Sequence, residues 1–447
     1  MYKTLSRSLA VVAVIIIAFA TNGYSQPACP TGGCLDTTFN PGGGGMLIST
    51  VPGSSSSSPL FPVVTQQDGK IVILFQANNP QGTIRNAITR LNADGTTDTT
   101  FGQSGWLYIP WNAPNGISAN TLAIQNVTNA SGVIEERFVI AGGEMCGRSN
   151  CLRAERYLND GTLDTTFGVN GITSINTGWY PYKIAVGVDQ KILLAGAANP
   201  LVRLNPNGTA DVTFGANGIS PTKSGIVVQS LYALAGGSFL AAGSYKAPRA
   251  KSSDMAVGRF NPDGSLDGLF GTAGIASVDF AGLDDHAMAV NVDSAGRIVA
   301  AGQGNFGTSR VPDPDAALVR FSTSGRLDTT FGSGGKTTLR IGSRQDFFRT
   351  VSFQSDGKIV LAGEGRDMAK VYNNADALVA RYDPNGFLDP SFGVGGWFLK
   401  DMFGTYESPG ATVQMDPACQ CEKILVMDAV TVPDTGGYEM VMMGLME

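Results

Sequence analysis

The stretch LDTTFG stands at residues 163–168 and again at 327–332. Around these two copies runs a looser repeat, an Asp and a Phe three apart with a Gly three before the Asp. The pairs are Asp36/Phe39, Asp98/Phe101, Asp164/Phe167, Asp211/Phe214, Asp267/Phe270, Asp328/Phe331 and Asp389/Phe392. The glycines are Gly33, Gly95, Gly161, Gly208, Gly264, Gly325 and Gly386. Successive Phe residues lie 47 to 66 positions apart. A period of this size marks a solenoid, a propeller or an array. No single site needs seven equal sets of reacting groups, so the motif is structural.

The sixth unit shows what one repeat builds. TVSFQ at 350–354 alternates and is rich in strand formers. The turn SDGK at 355–358 follows, with Gly357 supplying the positive φ that hairpin turns require. IVLA at 359–362 is a near-continuous apolar strand, and a polar loop leads to a third strand at 377–382. DPNG at 383–386 is a turn by composition, and 397–402 is a fourth strand. The repeated corner lies between the third strand and the fourth. Its Gly takes the positive-φ position. Its Phe is an apolar anchor between neighbouring sheets. Its Asp accepts from backbone N–H groups one or two residues on, as in an Asx turn. A calcium loop is the other reading of 261–267, but the acidic residues that open and close an EF-hand loop are missing there.

Units of four antiparallel strands predict an all-β fold, a seven-bladed β-propeller, because radial repetition leaves only short, protected strand edges. The phase of the repeat supports a ring. The chain begins inside a unit, with a corner at 33–39 and a fourth strand near 46–50. It ends with a first, second and third strand near 411–415, 423–427 and 439–445. The two ends together complete one closing blade.

The segment RFNPDGSLDGLFGTAG at 259–274 and its kin resemble the delta-60 repeat family of exported bacterial proteins, whose motif reads R-[FY]-x-x-[DN]-G-x-L-D-x-x-F-G. The resemblance spans nearly all of the chain after residue 25, implies a propeller-like exported protein, and brings no catalytic set with it. The fourth copy departs from the motif at Ala210 and has the shortest unit, so trimmed loops are expected in its blade.

Hydrophobic residues make up 43% of the chain and charged residues only 15%. The net charge is −6, with no Lys/Arg run, which argues against nucleic acid as a partner. Residues 1–25 read as a secretory signal peptide: Lys3 and Arg7, a short apolar run at 9–20, and small-residue cleavage sites after Ala20 or Ser25. That run is too short to cross a bilayer, and no later one is long enough. Residues 26–447 are expected to form one propeller domain, exported to an extracellular, cell-surface or periplasmic location, as a monomer without a membrane span.

Comparison of the units separates two faces. First-to-second turns and corners repeat; second-to-third loops and inter-blade connections vary. Binding resides on variable loops of a rigid scaffold, so ligand-binding candidates come from that face: Trp111, Trp179, Tyr180, Asp284, Asp285, His286, Arg344 and Tyr406. Aromatic rings beside amides and carboxylates suit sugars or peptides, although such rings also seal blades together. His286 is the only histidine. It has too few companions for a zinc site and no convincing triad partner. No metal, cofactor or catalytic residue is assigned.

Six cysteines in an exported chain suggest disulfides. Cys146 and Cys151 bracket a short loop and are expected to pair. Cys29 and Cys34 are expected to cross-link to Cys419 and Cys421, stapling the closing blade. The function these features point to is non-enzymatic: a binding or scaffold propeller recognising a glycan or a cell-surface protein through its variable face. The alternative is a secreted hydrolase or lyase with carboxylates near the axis.

Overall fold

The computed structural model describes residues 35–445, apart from 50, 53, 55, 79–83, 110–117, 130, 197–199, 222–224, 309–312, 342–344, 366–375, 401–409, 417–420 and 432–437. The signal-peptide region, Cys29, Cys34 and Cys419 lie outside them, as does the side chain of Cys421. The expected staple of the closing blade therefore falls outside the described residues.

The described strands form seven antiparallel sheets. Blade 1 comprises Ser56–Thr65, Ile71–Asn78, Ile84–Leu91 and Trp106–Ile109; blade 2 comprises Ser118–Thr128, Ile134–Cys146, Ser149–Tyr157 and Ile172–Asn176. Blade 3 has Lys183–Val186, Ile192–Ala195 and Val202–Leu204. Blade 4 has Ile226–Ala233, Phe239–Tyr245, Asp254–Phe260 and Ile275–Val278. Blade 5 has His286–Val292, Ile298–Asn305, Pro314–Phe321 and Lys336–Leu339. Blade 6 has Phe347–Phe353, Ile359–Gly365, Asp376–Tyr382 and Trp397–Lys400. Blade 7 takes Gly410–Asp416, Cys421–Thr431 and Tyr438–Leu445 from the end of the chain. Its outer strand, Met46–Ser49, comes from the beginning and pairs with Tyr438–Leu445 from Met46↔Met443 to Ser49↔Met440.

Blade 3, which carries the fourth corner, is reduced. Among the described residues it has, in place of a fourth strand, a single bridge, Val202↔Ile219. Its second and third strands run to only four and three residues, and part of the second-to-third loop, where trimming is expected, lies outside the described residues at 197–199.

The ring is closed by packing. Seven apolar clusters fill the seven blade interfaces among the described residues. One of them joins blade 7 to blade 1 through Phe39, Leu425, Met427, Ile71 and Ile73. An open array of seven sheets would have six such interfaces. Second strands such as IVILF at 71–75 lie between sheets on both faces and are fully buried, which is why they read as unbroken apolar runs.

The corner phenylalanines are core residues and no part of any surface site. Phe39, Phe101, Phe167, Phe214, Phe270, Phe331 and Phe392 all have 0% exposure, so none can present its ring to a ligand. Each joins the cluster shared with the next blade. Phe101 packs with Phe138 of blade 2, Phe167 with Ile192 of blade 3, and Phe214 with Phe239 of blade 4. Phe270 packs among Ile298 and Val319 of blade 5, Phe331 among Ile359 and Leu378 of blade 6, and Phe392 among Ile424 and Val426 of blade 7. The anchoring expected of them is thus met by complete removal from water. The corner Gly answers to two demands. Gly386 has φ 88°, and a Cβ there would lie 2.7 Å from the ring of Phe331 in the preceding blade.

Candidate functional site

The repetitive face is consumed by structure. At each corner one Asp oxygen accepts from the residue two positions on, as expected: Asp98 takes the N–H of Thr100 at 3.0 Å and its hydroxyl at 2.5 Å. The other oxygen meets an arginine eight residues earlier, with Arg90 Nε at 2.7 Å from Asp98. The same pair recurs as Arg156–Asp164, Arg203–Asp211, Arg259–Asp267, Arg320–Asp328 and Arg381–Asp389. Each guanidinium also lies over the corner Phe of its own unit, 4.5 to 4.9 Å from the ring centroid. The six rings so covered are Phe101, Phe167, Phe214, Phe270, Phe331 and Phe392, and the guanidinium adds to the burial that keeps them from solvent. Five of the arginines donate to a backbone carbonyl in the next blade, as Arg320 does to Pro384 at 2.6 Å. The N–H after Phe also reaches across, for example Gly168 to the Asn207 carbonyl at 2.7 Å. The corner is therefore a rivet between blades.

Blade 7 departs from this pattern. Gly444 occupies the arginine position, since Asp36 N–H donates to its carbonyl as Asp389 N–H does to that of Arg381. A lysine from the second strand, Lys423, takes over Asp36 at 2.9 Å.

Burial alone would raise the pKa of Asp98. The Thr100 hydroxyl and N–H, then Arg90, outweigh it and hold the carboxyl at about 2. Asp36, Asp164, Asp211, Asp267, Asp328 and Asp389 are all lowered in the same way by hydrogen bonds and neighbouring cations. A folded-state pKa below the unfolded value of about 3.9 stabilises the fold above that value and ceases to do so as the pH falls through the folded pKa. The ring is thus expected to lose β-sheet circular dichroism cooperatively between about pH 4 and pH 2. An unchanged spectrum and melting temperature at pH 2 would contradict this.

The opposite end of the ring is built differently. The first strands of blades 2, 4, 5 and 6 each carry a bulge, at Asn120, Gln229, Met288 and Arg349. In all four the residue before the bulge pairs with the Gly of an Ala-Gly dipeptide on the second strand: Gly142, Gly243, Gly302 and Gly363. A Cβ on Gly243, Gly302 or Gly363 would lie 1.9 to 2.0 Å from a first-strand carbonyl oxygen, so only glycine lets the bulge close. Bulges re-aim side chains. Here Gln229, Met288 and Arg349 line a cavity of about 290 Å³ on the ring axis.

The residue after each bulge pairs with the Ala of Ala-Gly: Thr121, Ser230, Ala289 and Thr350. In blade 3, which has no bulge, the equivalent partner of Ala195 is Lys183. All five line the cavity, and Lys183 is the charged member of that layer. Its strand begins there, as the blade connection enters, so the layer lies toward the variable face. Arg349 is engaged by Glu364, a fully buried carboxylate, at 2.6 Å. Among the described residues no carboxylate pairs with Lys183. Burial first, then the charge of Arg349, lower its pKa. The described residues bring Lys183 and Arg349 to the cavity wall and no carboxylate.

Those candidates read from the sequence that fall among the described residues lie elsewhere on the variable face. Trp179 and Tyr180 sit on the blade 2–3 connection. Trp179 packs on Gly196, where a Cβ would meet its ring at 2.5 Å, and Tyr180 packs on Gly143 and donates its hydroxyl to Asn150 at 2.5 Å. Both rings keep part of their surface in solvent. Asp284 and Asp285 stand on the blade 4–5 connection, two blades away, and His286 opens the first strand of blade 5. Asp285 faces inward with 0% exposure. Its oxygens accept from Phe280 N–H at 2.9 Å and Asn305 N–H at 2.8 Å, and burial pushes its pKa up to about 6. It ties the connection down rather than presenting a carboxylate to solvent. Asp284 accepts from Ser253 N–H at 2.7 Å. His286 is half-buried, and burial lowers its pKa against the pull of Asp284. Trp111, Arg344 and Tyr406 lie outside the described residues. On the same face Cys146 and Cys151 form the expected disulfide, Cα–Cα 5.8 Å. The axial residues had one sequence signal, the recurring Ala-Gly of the second strands.

Four segments match the family model of a beta-propeller domain of unknown function (DUF5122): residues 66–101, 189–214, 296–331 and 354–392. Each begins in the turn after a first strand and ends on a corner Phe. The chain therefore carries the repeat of a β-propeller family. No curated protein matches the chain. Among solved structures, the β-propeller domain of the trilobed protease from Pyrococcus furiosus is similar at 8% identity and a TM-score of 0.42, over 86% of this chain and 95% of that one. A GH43_1 enzyme from Xanthomonas citri, complexed with xylotriose, is similar at 9% identity and a TM-score of 0.31, over 90% of each chain. Likenesses this remote say nothing of what this chain binds. No helix among the described residues is long and apolar enough to cross a membrane.

Proposed function

We propose that this is an exported binding propeller of the delta-60 repeat type, non-enzymatic, recognising a glycan or a cell-surface protein at its variable face. The observation that carries the reading is the division of the two ends. On one face the repeated turns and corners are spent on joining blades. On the other, varied connections surround an axial cavity whose described wall offers cations and hydroxyls and no carboxylate. A glycosidase acting on the axis would need a pair of carboxylates there, so the hydrolase reading is the weaker of the two. The disulfide on the variable face fits an oxidising compartment and hence export.

The test is binding of the purified protein to a broad array of glycans and bacterial polysaccharides. A saturable hit weakened at least tenfold by Trp179→Ala is the expected result, because the part of its ring left in solvent offers a stacking surface for sugars. Silence across the array would overturn the glycan form and leave a protein partner, sought by pull-down from the cell surface.

A further inference from the structure

We propose that the axial cavity is a binding site for a hydroxylated monocarboxylate the size of one acidic sugar residue, with Lys183 holding the carboxylate. The inference rests on the binding reading above and names its ligand class. Lys183 stands where blades 2, 4, 5 and 6 place Thr121, Ser230, Ala289 and Thr350, so across these five blades a single cation interrupts a layer that is otherwise small and uncharged. An ammonium partly buried in a cavity wall with no carboxylate beside it among the described residues is unfavourable, and a second cation, Arg349, shares the same cavity. Glu364 neutralises Arg349, which leaves one uncompensated positive charge. That balance suits a monoanion; a phosphate, near −2 at neutral pH, would leave excess negative charge in the cavity. The neighbouring wall offers Gln229 and the hydroxyl-bearing Thr121 and Ser230 alongside apolar Leu231 and Val351, the mixture that hydroxyl groups and a C–H ring face require. About 290 Å³ is room for one such residue.

The experiment is calorimetric titration of the full exported protein with sodium D-glucuronate, D-glucose and an oligogalacturonide, repeated on Lys183→Gln and Lys183→Arg. Glucuronate is expected to bind at least tenfold more tightly than glucose. Lys183→Gln is expected to lose at least tenfold in glucuronate affinity, and Lys183→Arg to recover part of it. Tighter binding of the oligomer than of the free acid would place the carboxylate within a polysaccharide; equal binding would make the ligand a free acid. Because Lys183 has no ion pair among the described residues, Lys183→Gln should melt at or above the wild-type temperature, so lost binding cannot be ascribed to lost folding. Glucuronate binding no tighter than glucose, or unchanged in Lys183→Gln, overturns the inference. If the array then still yields a hit that depends on Trp179, the variable-face reading survives and only the axial site falls.

Discussion

Arg320→Ala is expected to lower the stability of the ring by about 3 kcal/mol, the range for removing one partner of a buried ion pair. The Arg320 side chain is 2% exposed and joins three things at once. Its Nε donates to Asp328 at 2.8 Å, its Nη1 to the Pro384 carbonyl of blade 6 at 2.6 Å, and its plane lies 4.5 Å from the Phe331 centroid. Alanine would leave a carboxylate without its cation, an orphaned carbonyl and a void against the ring. Arg320→Lys should recover less than half of the loss, since a point charge cannot donate along two directions and stack on a ring together. Chemical denaturation followed by tryptophan fluorescence measures both. The natural contrast is blade 7, where Gly444 replaces the arginine and Lys423 is the cation on Asp36. A loss below about 1 kcal/mol for Arg320→Ala, the scale of an exposed pair, would show that the corners are not rivets.

Gly363→Ala is expected to cost about 3 kcal/mol, at the upper end for overpacking, and to abolish axial binding as well. The added Cβ would lie 1.9 Å from the Phe347 carbonyl oxygen and 2.7 Å from Phe348 Cα. Both are backbone atoms, so no rotamer change relieves the contact. The first strand of blade 6 must move away, and the bulge that carries Arg349 into the cavity opens with it. Gly268→Ala is the control. Nothing lies within 4 Å of a Cβ there and its φ is outside the left-handed region, so it should change stability by less than about 0.5 kcal/mol. Wild-type stability in Gly363→Ala would mean that the bulges do not require glycine.

The corners and the blades were legible in the sequence because their causes are local. A Gly at positive φ, an Asp that caps the backbone two residues on, and a Phe three residues later act within one turn, and they recur seven times. The phase of the repeat at the two ends likewise foretold a blade shared by both, as Met46–Ser49 pairing with Tyr438–Leu445 bears out. The arginine of the motif could be seen but not its reach into the next blade, because the Pro384 carbonyl lies 64 residues away from Arg320.

What lines the axis was decided only in three dimensions. Lys183 looks like any lysine at a strand start until the register sets it opposite Ala195, in the layer filled elsewhere by hydroxyls and Ala289. Asp285 reads as an exposed loop acid until two backbone N–H groups from different segments close on it. The outer edge of blade 3 is another such case: the corner motif survives there, but among the described residues the pairing that follows it shrinks to the single bridge Val202↔Ile219. Local chemistry selects a turn or a strand; which side chains a strand turns toward the axis depends on bulges and register, and those are set by pairing with strands that the chain reaches only after folding back.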